Sequence, residues 1–447
     1  MGEGMTSTTA NVSSDQFAIR RTTLMNTLSN GAIILTAGHD TPRNNDVDHE
    51  FRQLSDFWYF TGFDEPDAVA LIRPNSENQY ILFVNPYDPR FEIWVGHRAG
   101  TDGAVSTFGA DLAYPVEELA EKLPELLSEV ADLQYSIGSD SIVDPMISKL
   151  VSQRRSGSQR GGPPLLNVTD PQSAIDRMRL IKSESEIESL QTAIDITGRG
   201  FEAAMQSTNP GSYEYQVQAE MEVNFRRMGS PRNGYPSIVA SGGNACILHY
   251  IKNRARLNDG DLLLIDAGAE MDFYTADITR TWPVNGKFSP EQREVYQIVL
   301  DAQANAFDAI TPGAGFDKPH MAALRTLVQG LKDLKVLDGS VDGLIEEQAY
   351  RPYYMHGTSH WLGLDVHDSG PYRNSDRATE LQSGMVFTIE PGLYFGTQAT
   401  ESPSHLKGIG IRIEDDVLVT NTGHKVLSAS IPSEIDDIEN LVGKGFR

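Results

Sequence analysis

A chain of 447 residues with one cysteine, Cys246, can form no intrachain disulfide. That scarcity suits a reducing compartment. Positive charge is scarce too: 37 lysines and arginines face 62 aspartates and glutamates, a formal net charge of −25. Nucleic acid and anionic membranes would repel such a surface, which excludes both as partners. Nowhere is there a run of the ~18 apolar residues that a transmembrane helix needs. Together these absences predict a soluble, cytoplasmic protein.

Two segments imitate targeting signals. Met1-Gly2-Glu3-Gly4-Met5-Thr6 fits the loose myristoylation pattern, but no basic cluster follows at once to add a second membrane signal. Arg20-Arg21 ahead of the apolar run Ala32–Leu35 resembles an export signal. Thr22, Thr23, Asn26, Ser29 and Asn30 intervene, and the run is too short for a signal core. A helix from Asp15 to about Leu28, followed by a strand Ala32–Thr36, accounts for the same residues.

The length calls for two domains. In the first part, Val69–Ile72 and Tyr80–Val84 read as strands around a turn at Pro74-Asn75-Ser76. Leu112 to Val130 has helical spacing. Ser152 to Pro164, rich in Gly, Ser and Arg, reads as a mobile surface loop near a domain boundary. Ser183 as N-cap, with Glu186 at the capping-box position, opens a long helix. From there to about residue 430, helices alternate with β-hairpins, and the residues that could carry chemistry concentrate in this second half.

The strongest local signal is Leu262-Leu263-Leu264-Ile265-Asp266, followed by Asp277-Ile278-Thr279-Arg280. A two-residue turn at Met271-Asp272 would set Asp266 directly opposite Asp277, with Cβ atoms about 4.5–5.5 Å apart. Two carboxylates so placed repel unless a cation lies between them. The bland alternative, one aspartate in a turn and one in solvent, must explain an unpaired Asp266 at the end of four aliphatic residues.

Three of the ten histidines, His356, His360 and His367, fall within twelve residues. Gly357, Gly363 and the lack of a glutamate between the first two argue for an extended or looped segment rather than a helical zinc motif. Met385–Glu390 and Ile409–Glu414 each read as a strand ending in an acid, with Arg412 and Glu414 on one face. Together Asp266, Asp277, His360, Glu390 and Glu414 supply four carboxylates and one imidazole, enough for two divalent ions. An oxygen-rich set with one nitrogen suits Mn²⁺, with Co²⁺, Fe²⁺ or Zn²⁺ as alternatives.

These five residues, in this order and in these strings, resemble the pita-bread metallopeptidases, and among them aminopeptidase P. The likeness extends to Arg52–Phe63, to Glu92-Ile93-Trp94-Val95-Gly96, to Cys246-Ile247-Leu248-His249-Tyr250 and to Met355–Asp368. It implies an α/β (α+β) protein: a mixed α/β aminopeptidase P-type N-terminal domain over residues 1–172 and a catalytic pita-bread domain over 173–447. It further implies that Asp266 chelates one metal, Asp277 and Glu414 bridge both, and His360 and Glu390 complete the other. Glu390 would also help move the water's proton. His249 and His367 would hold substrate and stabilise the tetrahedral intermediate, His356 would line the pocket and shuttle protons, and Arg412 would orient Asp266.

The expected substrates are peptides with proline in second position. The expected assembly is a homotetramer, in which the Trp94 segment reaches a neighbour's active site. Xaa-Pro dipeptidase (prolidase) shares the fold and ligands and is the nearest rival. A non-catalytic pita-bread binding module is the rival from another class. Cys246 reads as a small buried residue rather than a nucleophile.

Overall fold

The computed structural model describes residues 14–28, 31–157 and 162–445. The myristoylation-like motif therefore lies outside the described residues. The chain divides into two compact units, Met1–Met178 and Arg179–Arg447. That division falls inside the helix Gln172–Leu180, at whose start the sequence had suggested a boundary.

Unit one is built on a six-stranded mixed sheet. Its order is Leu112–Pro115, Tyr80–Val84, Val69–Ile72, Ala32–Thr36, Asp132–Gln134 and Asn167–Thr169. The three central strands are buried at every position. Continuous apolar runs such as Ala-Ile-Ile-Leu suit strands covered on both faces. Arg20 and Arg21 lie in the helix Ser14–Met25, where both are buried and donate to the carbonyls of Tyr59 and Phe60 at 3.1 and 2.8 Å. The paired arginines thus cap backbone oxygens of the neighbouring helix Ser55–Thr61.

Two expectations for unit one need correction. Leu112–Val130 is not one helix. Leu112–Pro115 is a strand parallel to Ile81–Val84, and the α-helix runs only from Leu119 to Leu126. Pro115 disfavours helical backbone at Tyr114, and the open edge of the 80–84 strand takes the segment instead. Nor do residues 152–157 form a loop. They continue the helix Val143–Gly157, and buried Arg154 donates to the carbonyls of Leu127 and Val130. Residues 158–161 of the expected loop lie outside the described residues.

Unit two opens with the helix Glu184–Ser207, capped as its sequence predicts: Ser183 N donates to Glu186 Oε2 at 2.8 Å. The helices Glu214–Arg227, Pro290–Asp308 and Asp317–Asp333 join it around small antiparallel sheets. One sheet holds Ile238–Ser241, Leu262–Ala267 and Ile278–Pro283. A second pairs Val386–Ile389 with Asp415–Val419, and a third pairs Gly392–Tyr394 with Gly410–Arg412. A bridge between Thr279 and Glu414 joins the first sheet to the strands around residue 414, with Glu414 N donating to Thr279 O at 3.0 Å. The helices cover the sheets with a continuous apolar core that includes Trp282, Trp361 and Phe387.

The hairpin carrying the two aspartates differs in register from expectation. Met271 pairs with Tyr274, so the turn is Asp272-Phe273, both in the left-handed region. That is a type I′ turn, which matches the twist of the flanking strands. Asp266 consequently faces Thr279 rather than Asp277. The shift is an even number of residues, so Asp277 stays on the same side of the ladder as Asp266. Gly268 lies between the strands Leu262–Ala267 and Ala269–Met271, and no side chain fits there, since a Cβ would come within 1.7 Å of the Ala276 carbonyl oxygen.

Candidate active site

A cavity of about 800 Å³ in unit two is lined by Asp266, Asp277, His360, Glu390 and Glu414, and also by His249, His356, His367 and Arg412. Every residue singled out from the second half of the sequence for metal or catalytic work therefore meets at one place. Ligand atoms of Asp277, His360 and Glu414 all lie within 4.8 Å of one another. His360 Nε2 stands 3.2 Å from Asp277 Oδ2 and 3.7 Å from Glu390 Oε1. Its Nδ1 is 3.1 Å from the Trp361 carbonyl oxygen, which fixes the proton there and turns Nε2 towards the carboxylates. No helix runs through residues 356–368, as the glycines suggested.

Arg412 is the central cation. Its guanidinium donates to Asp266 Oδ2 at 2.6 Å, to Thr279 Oγ1 at 3.1 Å and to the Tyr394 hydroxyl at 3.1 Å. Thr279 Oγ1 in turn donates to Glu414 Oε2 at 2.6 Å. His356 Nε2 lies 2.8 Å from the Tyr394 hydroxyl, and its Nδ1 lies 3.5 Å from Glu390 Oε2. The rings of His360 and His367 touch edge to face, with centroids 4.3 Å apart. Asp368, the residue after His367, is clamped between Lys182 Nζ at 2.8 Å and Arg179 Nη2 at 2.5 Å. That buried cluster anchors the loop on which His367 sits.

Three residues here were not anticipated. The Tyr235 hydroxyl lies 2.7 Å from Asp266 Oδ1 and 2.5 Å from Asp277 Oδ1. Tyr394 links Arg412 to His356, and Thr279 links Arg412 to Glu414. The Tyr-Pro pair at 235–236 and a tyrosine in an apolar strand carry no local signal. Only the fold brings them to the carboxylates.

The electrostatics follow from burial. Desolvation raises the Glu390 carboxyl to about 7, with Asp277 and Asp266 adding to the shift against the pull of His360 and Arg412. Burial, with Asp277 beside it, also raises Asp266, although Arg412 opposes. Glu414 rises well above the usual carboxylate range through burial and its neighbours Asp277 and Glu390. For His360, burial opposes charge, but Asp277 and Glu390 outweigh it and raise the imidazole to about 9. Burial and Arg412 press His356 down to about 3, and burial and His360 lower His367. Burial pushes the Cys246 thiol up to about 11, which leaves it a poor nucleophile. Three buried carboxylates, the half-buried Glu390 and one imidazole form an oxygen-rich donor set that fits hard divalent cations.

Comparisons with known proteins point to a metallopeptidase. The family model for metallopeptidase family M24 matches residues 188–421, and that for the aminopeptidase P N-terminal domain matches residues 17–134. The chain is 43% identical to a Xaa-Pro aminopeptidase of Haemophilus influenzae, over 97% of this chain and 98% of the relative. It is 41% identical to the Xaa-Pro aminopeptidase of Escherichia coli, over 96% and 98%. Among solved structures, Pseudomonas aeruginosa aminopeptidase PepP superposes with a TM-score of 0.94 at 42% identity, covering 97% of this chain and 98% of that one. An E. coli aminopeptidase P variant in complex with substrate superposes at 0.92 and 40% identity, covering 96% and 98%. Both units are thus matched, the second as a pita-bread metallopeptidase fold, and the chain belongs to metallopeptidase family M24, in its aminopeptidase P branch.

Proposed function

We propose that the protein is a Xaa-Pro aminopeptidase that removes the first residue from peptides with proline in second position. The observation that carries this reading is the cavity in which Asp277, His360 and Glu414 converge within 4.8 Å, flanked by Asp266 and Glu390, in a chain similar to Xaa-Pro aminopeptidases over nearly its whole length. Asp266, Asp277, His360, Glu390 and Glu414 would hold two divalent ions, with Mn²⁺ favoured by the oxygen-rich set. When bound, the metal pair supplies the Lewis acidity that makes water nucleophilic near neutral pH and polarises the scissile carbonyl.

The chain's own residues do the rest. Glu390 takes the proton of the attacking water at a carboxylate oxygen and returns it towards the leaving amine. His356, kept neutral and in contact with Tyr394 and Glu390, relays that proton. His249 and His367 hold the substrate and stabilise the tetrahedral oxygen. Arg412 orients Asp266 and opposes the rise that burial imposes on its carboxyl.

Proline lacks an N–H and restricts the residue before it, so a peptidase that needs extended, hydrogen-bonded backbone handles Xaa-Pro poorly. A pocket shaped to the ring turns that poor fit into selectivity. The test compares Xaa-Pro, Xaa-Pro-Yaa-Zaa and the N-acetylated tetrapeptide, each with and without Mn²⁺. Release of Xaa from the free tetrapeptide, with no cleavage of the acetylated form, is expected. Cleavage confined to the dipeptide would instead identify a prolidase.

The proposal includes a homotetramer in the cytoplasm. The helix Pro89–Val95 buries none of its residues, and Phe91, Ile93 and Trp94 are 63%, 79% and 80% exposed. Such a surface supports an interface that carries Trp94 to a neighbour's active site. No helix among the described residues is long and apolar enough to cross a membrane. A monodisperse, fully active monomer in light scattering at assay concentration would rule the tetramer out.

A further inference from the structure

The helix Glu214–Arg227 packs on the core through Val217, Met221 and Phe225. A second row, Glu214, Gln218 and Glu222, repeats at the same four-residue spacing and shares one face of the helix. Each of its members holds a segment that walls the cavity.

Glu214 is fully buried, and no lysine or arginine pairs with it among the described residues. It is satisfied by hydrogen bonds alone. Its Oε1 accepts from Ser241 N and Ser241 Oγ at 2.8 Å each and from Asn244 Nδ2 at 3.1 Å. Its Oε2 accepts from the Tyr250 hydroxyl at 2.9 Å and from Ala255 N at 2.7 Å. These donors bracket residues 241–255, the segment that presents Leu248, His249 and Ile251 to the cavity.

The rest of the row extends the same hold. Gln218 Oε1 accepts from Asn253 Nδ2 at 2.9 Å, and Asn253 Oδ1 accepts from Val239 N at 3.0 Å. Asn253 is itself in the left-handed region, which asparagine adopts more readily than most residues. Glu222 Oε1 accepts from Asn233 Nδ2 at 2.7 Å and Ser237 Oγ at 2.8 Å, on either side of Tyr235. Among the described residues, by contrast, no hydrogen bond holds the His249 ring. Its position is inherited from its segment.

We infer that Glu214 is a positioning residue of the active site, the buried anchor that sets the His249 wall against the metal-binding side chains. The inference rests on the proposed role of His249 towards substrate. A carboxylate suits the task because both its oxygens accept. An amide of the same shape turns one end into a donor that faces N–H or O–H groups.

The test is Glu214→Gln, made alone and in a His249→Ala background. Alone it should lower kcat/KM on an Xaa-Pro tetrapeptide about tenfold to a hundredfold, as loss of an outer-shell support does. Bound metal should stay at the wild-type level, and amide exchange should quicken across 242–255 but not in the helix Pro290–Asp308. In the His249→Ala background the same change should cost less than about twofold, because the group it positions is gone. An equal loss in both backgrounds, or wild-type kinetics for the single variant, would overturn the inference.

If Glu214→Gln does not yield folded protein, Tyr250→Phe removes one donor and leaves the backbone intact. It should show a smaller loss with the same dependence on His249. If the wild type cleaves no Xaa-Pro peptide, the proposed activity falls, and the exchange measurement alone decides the anchor: unchanged exchange over 242–255 overturns it.

Discussion

The 32–36 strand of unit one and the 262–267 strand of unit two are buried at every residue, yet for opposite reasons. The first belongs to a sheet whose central strands are mostly Ala, Ile, Leu, Val and aromatic residues, and burial of that apolar surface is itself the stabilising term, about 25 cal/mol per Å². The second carries Asp266 into the interior, and the strands around it add Asp277, Arg280, Arg412, Glu414, Asp415 and Asp416, all buried. Burying those groups costs free energy unless each finds a partner. Arg280 pairs with Asp415 at 2.7 Å, and its guanidinium also donates to the Glu414 carbonyl. Gln303 Nε2 reaches the carbonyls of Ile389 and Ile413, at 3.2 Å each, and Asp415 Oδ2 at 2.9 Å, tying together the strands that end at Glu390 and Glu414. Unit one buries a few arginines, each donating to backbone carbonyls, whereas unit two gathers buried acids and arginines around one cavity.

The sharpest way to break that contrast is Asp277→Ala. If Asp277 bridges both metals, the variant should lose bound metal and at least about a thousandfold in activity, since the Lewis-acid role is worth several kcal/mol. It should still fold, because the apolar core around the hairpin is untouched. Elemental analysis that finds no stoichiometric transition metal in the reconstituted wild type would count decisively against the site.

A smaller effect separates the histidines. His360→Ala should lower metal occupancy, whereas His249→Ala, His356→Ala and His367→Ala should keep the metal and lose about a hundredfold in kcat or kcat/KM. Equal metal loss in all four would show that their roles are misassigned.

A last effect, of similar size to the loss at the histidines, is thermodynamic and centres on unit two. Glu390 at about 7 and His360 at about 9 are both raised above their ordinary values of 4.5 and 6.5. A raised pKa contributes stability below the unfolded value and loses it as pH climbs through the folded one. Chelated protein should therefore weaken as pH rises from about 4.5 to about 9, by roughly 3 kcal/mol for Glu390 alone. Metal-loaded protein should show a flatter profile. Amide exchange followed against pH should show the larger loss in the 262–283 and 386–419 strands and a smaller one in the 32–84 region, where the Asp67 contact raises His39 and burial raises Glu65. A loss shared equally by both units would dissolve the comparison.

Much of this was legible in the residues. Continuous aliphatic runs place the 32–36, 69–72 and 80–84 strands because burial on both faces demands them. Ser183 and Glu186 announce their helix because a capping box is a local contact. The five proposed ligands are conspicuous only together: acids often end strands, but four carboxylates and one imidazole in this order supply enough donors for two divalent ions. Most of what failed depends on a distant partner, and the rest on turn geometry. Leu112–Pro115 has helical spacing but pairs with a strand about thirty residues earlier, and residues 152–157 are polar enough for a loop but are held in a helix by Arg154. The Asp266 hairpin slipped by two residues because φ > 0 at Asp272 and Phe273 is a property of the turn, not of its composition.

By itself, then, the sequence determined which side chains carry charge into the interior and which runs of residues must be buried, since both follow from the solvation of single residues and from periodicity. Only the tertiary structure decided the register that brings Asp266 and Asp277 to the same hydroxyl of Tyr235, the link from Arg412 through Tyr394 to His356, and the buried row on the 214–227 helix that holds the His249 segment. Those are contacts between residues far apart in the chain. Their geometry is set by how the helices and sheets pack, which no local pattern encodes.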